Sequence, residues 1–135
     1  MDQNRLALLA LHFVPGIGDF LIRQLVSYCG SAEDVFQLPK GKLLKIPNVG
    51  ASTIKAIQSG DPFREAEEEI RKAEKQDTQI VFYLDKHYPQ RLKQFDDSPT
   101  LLYVKGNVNL NAAKTVGIVG TRQATSYGKE MVEEL

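Results

Sequence analysis

The first sixty residues repeat themselves, and that limits what they can build. Laid on itself with an offset of 32 residues, the chain superposes Pro15 on Pro47, Gly18 on Gly50, Leu11 on Leu43 and Val14 on Ile46. Beyond the turn, Ile22 falls on Ile54 and Leu25 on Ile57. Each copy reads as a helix, a short Pro-x-apolar-Gly turn and a second helix, with apolar residues at helical spacing on both sides. Neither copy can bury its apolar stripe alone, so the two are expected to pack as one helical bundle over residues 1–60. The connector has its own punctuation: Gly30 stops one helix, Ser31 caps the next with Asp34 three residues on, and Pro39 ends it.

The turns "VPGIG" and "IPNVG", each opening an amphipathic helix, resemble the tandem helix-hairpin-helix, or sterile-alpha-motif-like, module of DNA-processing proteins. The physics of such a turn is specific. Glycine admits positive φ, which aims free N–H groups at the start of the second helix toward a phosphate, where the helix dipole adds partial positive charge. Gly18 in the first copy, and Gly50, Ser52 and Lys55 in the second, are therefore candidate contacts to a nucleic-acid backbone. Two departures weigh against it: Asp19 stands at the start of the first copy's second helix, where its charge would repel phosphate, and Asn48 replaces a glycine in the second copy. The alternative is a bundle that only packs, or that docks a protein or duplex DNA. His12, on the apolar face of the first helix, reads as a packed or rim residue rather than a ligand.

Residues 61–77, "DPFREAEEEIRKAEKQD", carry seven acidic and four basic side chains. Asp61 as cap and Pro62 at the first helical position predict a helix. Its thin stripe of Phe63, Ala66, Ile70 and Ala73 places it on a surface, as a solvated connector.

From Thr78 the texture changes. "TQIVFYLD", "LLYVKG" and "KTVGIVG" are of strand length and composition, and apolar residues standing next to one another predict strands covered on both faces, as in a parallel sheet. "KHYPQRLKQFDDSP" between the first two reads as a short helix bounded by Pro89 and Pro99, with Tyr88 and Leu92 facing the sheet. The third run enters "GTRQATSYG", a glycine turn followed by a helix, at the carboxyl end of a strand, where doubly wound folds bind ligands. Gly120 admits a close turn, Thr121 offers a hydroxyl and Arg122 a fork of donors, while Thr125 and Ser126 can cap the helix whose N-terminus faces the same anion. Glycines at 117, 120 and 128 do not fit the dinucleotide spacing, and no Gly-Lys-Ser/Thr follows. The residues point to a phosphate or polyphosphate binder, against a plain structural turn.

The order of these motifs resembles the DprA/Smf (DNA processing protein A) family over nearly the whole chain. It comprises Tyr88-Pro89 with Leu92, then Pro99 with Leu102, Tyr103 and Gly106, then the glycine-arginine turn closing on Tyr127-Gly128. The resemblance implies a Rossmann-like domain over residues 78–135 that binds single-stranded DNA, dimerises and helps load the RecA recombinase in natural transformation. It also implies a non-catalytic role, with phosphate contacts at Gly120, Thr121, Arg122 and Thr125. Members usually carry serine where this chain has Thr121, which keeps the hydroxyl. The family's domain runs well beyond the first glycine turn, so the chain reads as an amino-terminal fragment with its Rossmann-like part incomplete. The fold class expected is α+β to α/β.

Charge and cysteine content bound the rest. Lysine plus arginine equals aspartate plus glutamate, 17 each, so attraction for a polyanion must be local. Cys29 is the single cysteine, which leaves no intrachain disulfide and no thiolate metal site, and the start lacks an export signal; a cytoplasmic protein off the membrane, with no metal or cofactor, is the expectation. The rival from another class is a nucleotide-processing enzyme of phosphoribohydrolase type. It needs a carboxylate or imidazole near the phosphate, and only Asp85, Glu130 and His87 are at hand.

Overall fold

A computed structural model describes residues 2–135. Its elements are α1 (Gln3–Leu11), α2 (Asp19–Cys29), α3 (Ala32–Gln37), α4 (Lys40–Leu43), α5 (Ala51–Ile57), α6 (Pro62–Lys75), β1 (Thr78–Phe82), a single 3-10 turn (Leu92–Gln94), β2 (Leu101–Lys105) and α7 (Ser126–Glu133). This is a helix-rich α+β arrangement.

The repeat is realised as two helix–turn–helix units, α1/α2 and α4/α5, joined by α3. All the superposed apolar pairs are buried: Leu11 with Leu43, Val14 with Ile46, Ile22 with Ile54, and Leu25 with Ile57. The two turns also share a backbone. Positive φ falls on Gly16 (80°) and on its counterpart Asn48 (63°), asparagine being, with aspartate, one of the residue types that visit the left-handed region more readily than most. Gly18 and Gly50, expected to need that freedom, instead take φ of −104° and −108° as N-caps of α2 and α5. Asn48 is thus no defect in the second copy. It holds the conformation that Gly16 holds in the first.

Local signals at the helix ends are met. The Ser31 hydroxyl accepts from the Asp34 amide (3.0 Å) and donates to the Asp34 carboxylate (2.6 Å). Gly30 closes α2 with φ 99°, and Asp61 accepts from the Arg64 amide at 3.2 Å with Pro62 beginning α6. The acidic helix does more than connect. Ala66 and Ala73 are buried, Phe63 and Ile70 pack on the core, and α6 lies against both α1 and β1. Its charged face remains in solvent, as its amphipathic pattern requires.

The sheet departs from the expected parallel arrangement. β1 and β2 pair antiparallel, with Thr78 opposite Lys105, Ile80 opposite Tyr103 and Phe82 opposite Leu101. The chain between them is not a crossover helix; it keeps only one 3-10 turn where a short helix was expected. Asp85 turns the chain by accepting from the Phe82 amide at 2.9 Å, and the fully buried Tyr88 donates its hydroxyl to the Pro99 carbonyl. A segment folded back on itself in this way returns the next strand antiparallel. Phe82, with Ile80 and Leu101, joins the apolar cluster of the helices, while Val81 and Tyr88 are buried outside it. Both faces of β1 are therefore covered, which is what its unbroken apolar run demanded.

The third run, residues 114–120, is not a strand. Val116 and Val119 are 82% and 97% exposed. An extended run becomes a strand only beside a partner, and among the described residues β1 and β2 pair only with each other.

Candidate functional site

The glycine turn is set in place by the motif upstream of it. Arg91 grips the chain just before the third run: its guanidinium donates to the carbonyls of Ala112 (3.1 Å) and Ala113 (3.0 Å) and to the Thr115 hydroxyl (2.8 Å). Asn111 accepts from the Gln90 amide at 2.8 Å and donates to the Tyr88 carbonyl at 3.1 Å. The stretch Tyr88–Arg91 is therefore a clamp on residues 111–115, a role that no local pattern in the sequence signals.

Beyond the clamp, Gly120, Thr121 and Thr125 come together with Ile118, Val119 and Gly128 around an open concavity at the start of α7; Arg122, next to Thr121 in the chain, does not line it. Arg122 itself is exposed and takes part in none of the ion pairs found among the described residues. Thr125 is the N-cap of α7, its hydroxyl accepting from the Gly128 amide at 3.1 Å. A Cβ at Gly128 would approach that hydroxyl to 3.3 Å, so glycine there keeps the cap close. Gly120 has no positive φ, and a Cβ built on it meets nothing within 4 Å. Its contribution is open space in front of the turn rather than backbone strain relief. Thr121 differs from expectation in one respect: its hydroxyl donates to the Gln123 carbonyl at 2.9 Å. An anion receiving that proton must draw it from this internal bond, whereas the guanidinium fork is free of such competition.

The two hairpins are not equivalent as sites. At the first, the Asp19 carboxylate is engaged by residue 100: the Thr100 amide and hydroxyl both donate to Asp19 Oδ1, at 2.7 and 2.6 Å. Thr100 is fully buried, and its hydroxyl oxygen also lies 3.0 Å from His12 Nε2. Since the single hydroxyl proton goes to the carboxylate, His12 Nε2 must donate. Burial pushes the Asp19 carboxyl up, but the Thr100 bonds, with His12 and Arg23 nearby, outweigh it and leave the pKa below its ordinary value. Burial likewise lowers the His12 pKa, against a smaller opposing pull from Asp19. His12 is a packed, bonded residue, and the start of α2 faces the protein's own chain. Gly18 holds the N-cap position of α2, and Asp19 is the first residue of the helix. At the second hairpin Gly50, Ser52 and Lys55 are all exposed, and Gly18 in the first is exposed beside the occupied Asp19.

Arg5 and Arg23 fasten the helices to the sheet. Arg5 pairs with Asp85 and stacks 4.7 Å above the Phe82 ring; Arg23 stacks 4.5 Å above Tyr83 and donates to the Ser98 carbonyl at 3.0 Å. Asp85, a carboxylate the enzyme reading would need, is thereby held by a guanidinium and a backbone amide. Glu130 lies exposed on α7, and the exposed His87 lines a different concavity, with Gln79 and Val104. No helix among the described residues is long and apolar enough to cross a membrane.

A helix-rich α+β protein carrying a clamped, exposed glycine-arginine turn is the class that fold and site define. Residues 79–135 match the family model described as DNA recombination-mediator protein A. Among curated proteins, the DNA processing protein DprA of Bacillus subtilis (strain 168) is 45% identical over 51 residues, 37% of this chain and 17% of that protein. The DNA processing protein DprA of Streptococcus pneumoniae (strain ATCC BAA-255 / R6) is 38% identical over 52 residues, 38% of this chain and 18% of that protein. The matched stretch thus spans less than a fifth of either relative's length. No solved structure matches.

Proposed function

We propose that the chain belongs to a non-catalytic DNA-processing protein of recombination and natural transformation, which holds single-stranded DNA by its phosphates and assists loading of RecA. The observation that carries the reading is Arg122, whose unpaired guanidinium stands in an exposed glycine turn at the start of α7, within the region that matches the family. In this reading residues 78–135 contribute the first glycine turn of a Rossmann-like domain, and residues 1–60 form a tandem helix-hairpin-helix bundle of sterile-alpha-motif-like type. A cytoplasmic setting and a homodimer in the longer protein belong to the same proposal. Gly120 leaves room for a phosphate, Arg122 and the first amides of α7 approach it, and Thr125 keeps the helix start in register.

The test is Arg122→Ala, assayed by equilibrium titration with labelled single-stranded DNA. Loss of a charge-assisted hydrogen bond should weaken binding by about 1–3 kcal/mol. An unchanged dissociation constant would remove the turn from the interface. Affinity carried by phosphate contacts should also fall steeply as salt is raised.

A further inference from the structure

The bundle carries a second feature suited to a polyanion, made of other residues. Between Val35 and Gly60 the chain has four lysines, at 40, 42, 45 and 55, and no aspartate or glutamate. All four are exposed, and none is in an ion pair among the described residues. Arg5 and Arg23, the other cations of residues 1–60, are engaged at the sheet. The positive charge available on the bundle is therefore concentrated around α4 and α5.

An open groove of about 420 Å³ runs between the end of α2 and α4, lined by Tyr28, Cys29, Leu38, Lys42, Lys45 and Ile46. Two of the four lysines border it. Ile46 is buried and Leu38 half-buried, giving an apolar wall, while Tyr28 stands 61% exposed with no aromatic partner among the described residues. Burial, and to a lesser degree the Asp34 carboxylate, raise the Cys29 pKa; that carboxylate already accepts from the Ser31 hydroxyl. A thiol held protonated is not an anion and offers no repulsion.

We propose that this groove binds single-stranded nucleic acid, with Lys42 and Lys45 meeting phosphates and the Tyr28 ring stacking on an unpaired base. Charge complementarity selects a polyanion, and the exposed ring beside an apolar wall selects one whose bases present their faces. A duplex keeps those faces stacked inside, so it can use the lysines but not the ring. The proposal rests on the nucleic-acid reading above but on none of its residues.

Fluorescence anisotropy with labelled oligothymidine, and with a duplex of equal length, tests it on the 135-residue chain. Lys42→Gln with Lys45→Gln should lower the salt dependence of log K by about 1.4 for two lost single-strand phosphate contacts. Tyr28→Ser should weaken single-strand binding by about fivefold or more while Tyr28→Phe retains it, because stacking needs the ring and not the hydroxyl. Unchanged thermal midpoints would show that these exposed positions leave the fold intact. If Arg122→Ala abolishes binding while the lysine and tyrosine variants leave affinity and salt slope unaltered, the groove proposal is wrong and the nucleic-acid reading survives. Absence of binding to any strand at low salt by the unaltered chain overturns the groove. Tyr28→Ser without effect, together with duplex bound as tightly as single strand, overturns the stacking role.

Discussion

At the residue scale, the cluster of His12, Asp19 and Thr100 makes stability depend on pH in a defined direction. The folded-state pKa of His12 lies below its ordinary 6.5, so the unfolded chain takes up the proton first as the solution is acidified. Stability from the neutral, bonded imidazole is fully present above that value and declines as pH falls below it. Asp19 is depressed below 3.8, so its contribution is present above that value and is lost on further acidification through its folded pKa. Thermal melts of the unaltered chain should show a falling midpoint between neutrality and pH 5, and His12→Gln should flatten that limb while leaving the deeper acid limb. Equal slopes in the two proteins would contradict the assignment. Thr100→Val strips both the hydroxyl donor to Asp19 and the acceptor of His12; about 1–3 kcal/mol should be lost, read by urea unfolding.

At the element scale, each hairpin depends on one left-handed residue. Asn48→Gly should be tolerated, since the backbone already has φ 63° there, whereas Asn48→Ala should cost about 1–2 kcal/mol. Similar stabilities for the two variants would mean the turn relaxes. The clamp makes a separate prediction. Arg91→Ala removes three hydrogen bonds to residues 112–115, so hydrogen exchange in that segment should quicken while α2 and α3 keep their protection. Faster exchange throughout would show that Arg91 supports the whole fold rather than the approach to the glycine turn.

At the scale of the whole molecule, helices and sheet share apolar contacts through Phe82, which is fully buried in the cluster of α1, α2 and α5 residues. Phe82→Ala, at about 3–5 kcal/mol, should therefore lower the unfolding midpoint of helix and sheet together. Far-ultraviolet circular dichroism and tyrosine fluorescence would report the same transition. Two separated midpoints would show the bundle unfolding alone.

Local periodicity and end signals were enough, from the sequence, for the repeat, its buried pairs, the caps at Ser31, Asp61 and Thr125 and the amphipathic α6. These are written within a few positions of where they act, in the 3.6-residue spacing and in side chains that bond the next turn of their own helix. Apolar runs also announced β1 and β2, but a run carries no partner. Pairing direction depends on how residues 83–100 fold back, and that is decided by Asp85 and Tyr88 bonding across the turn. The commitment of Asp19 to Thr100, 81 positions away, and of Arg91 to Ala113, 22 positions away, likewise leaves no local trace. A side chain's type states what it can bond. Only the tertiary structure, by bringing distant segments within about 3 Å, decides which partner it takes and so which polar groups stay free for a ligand.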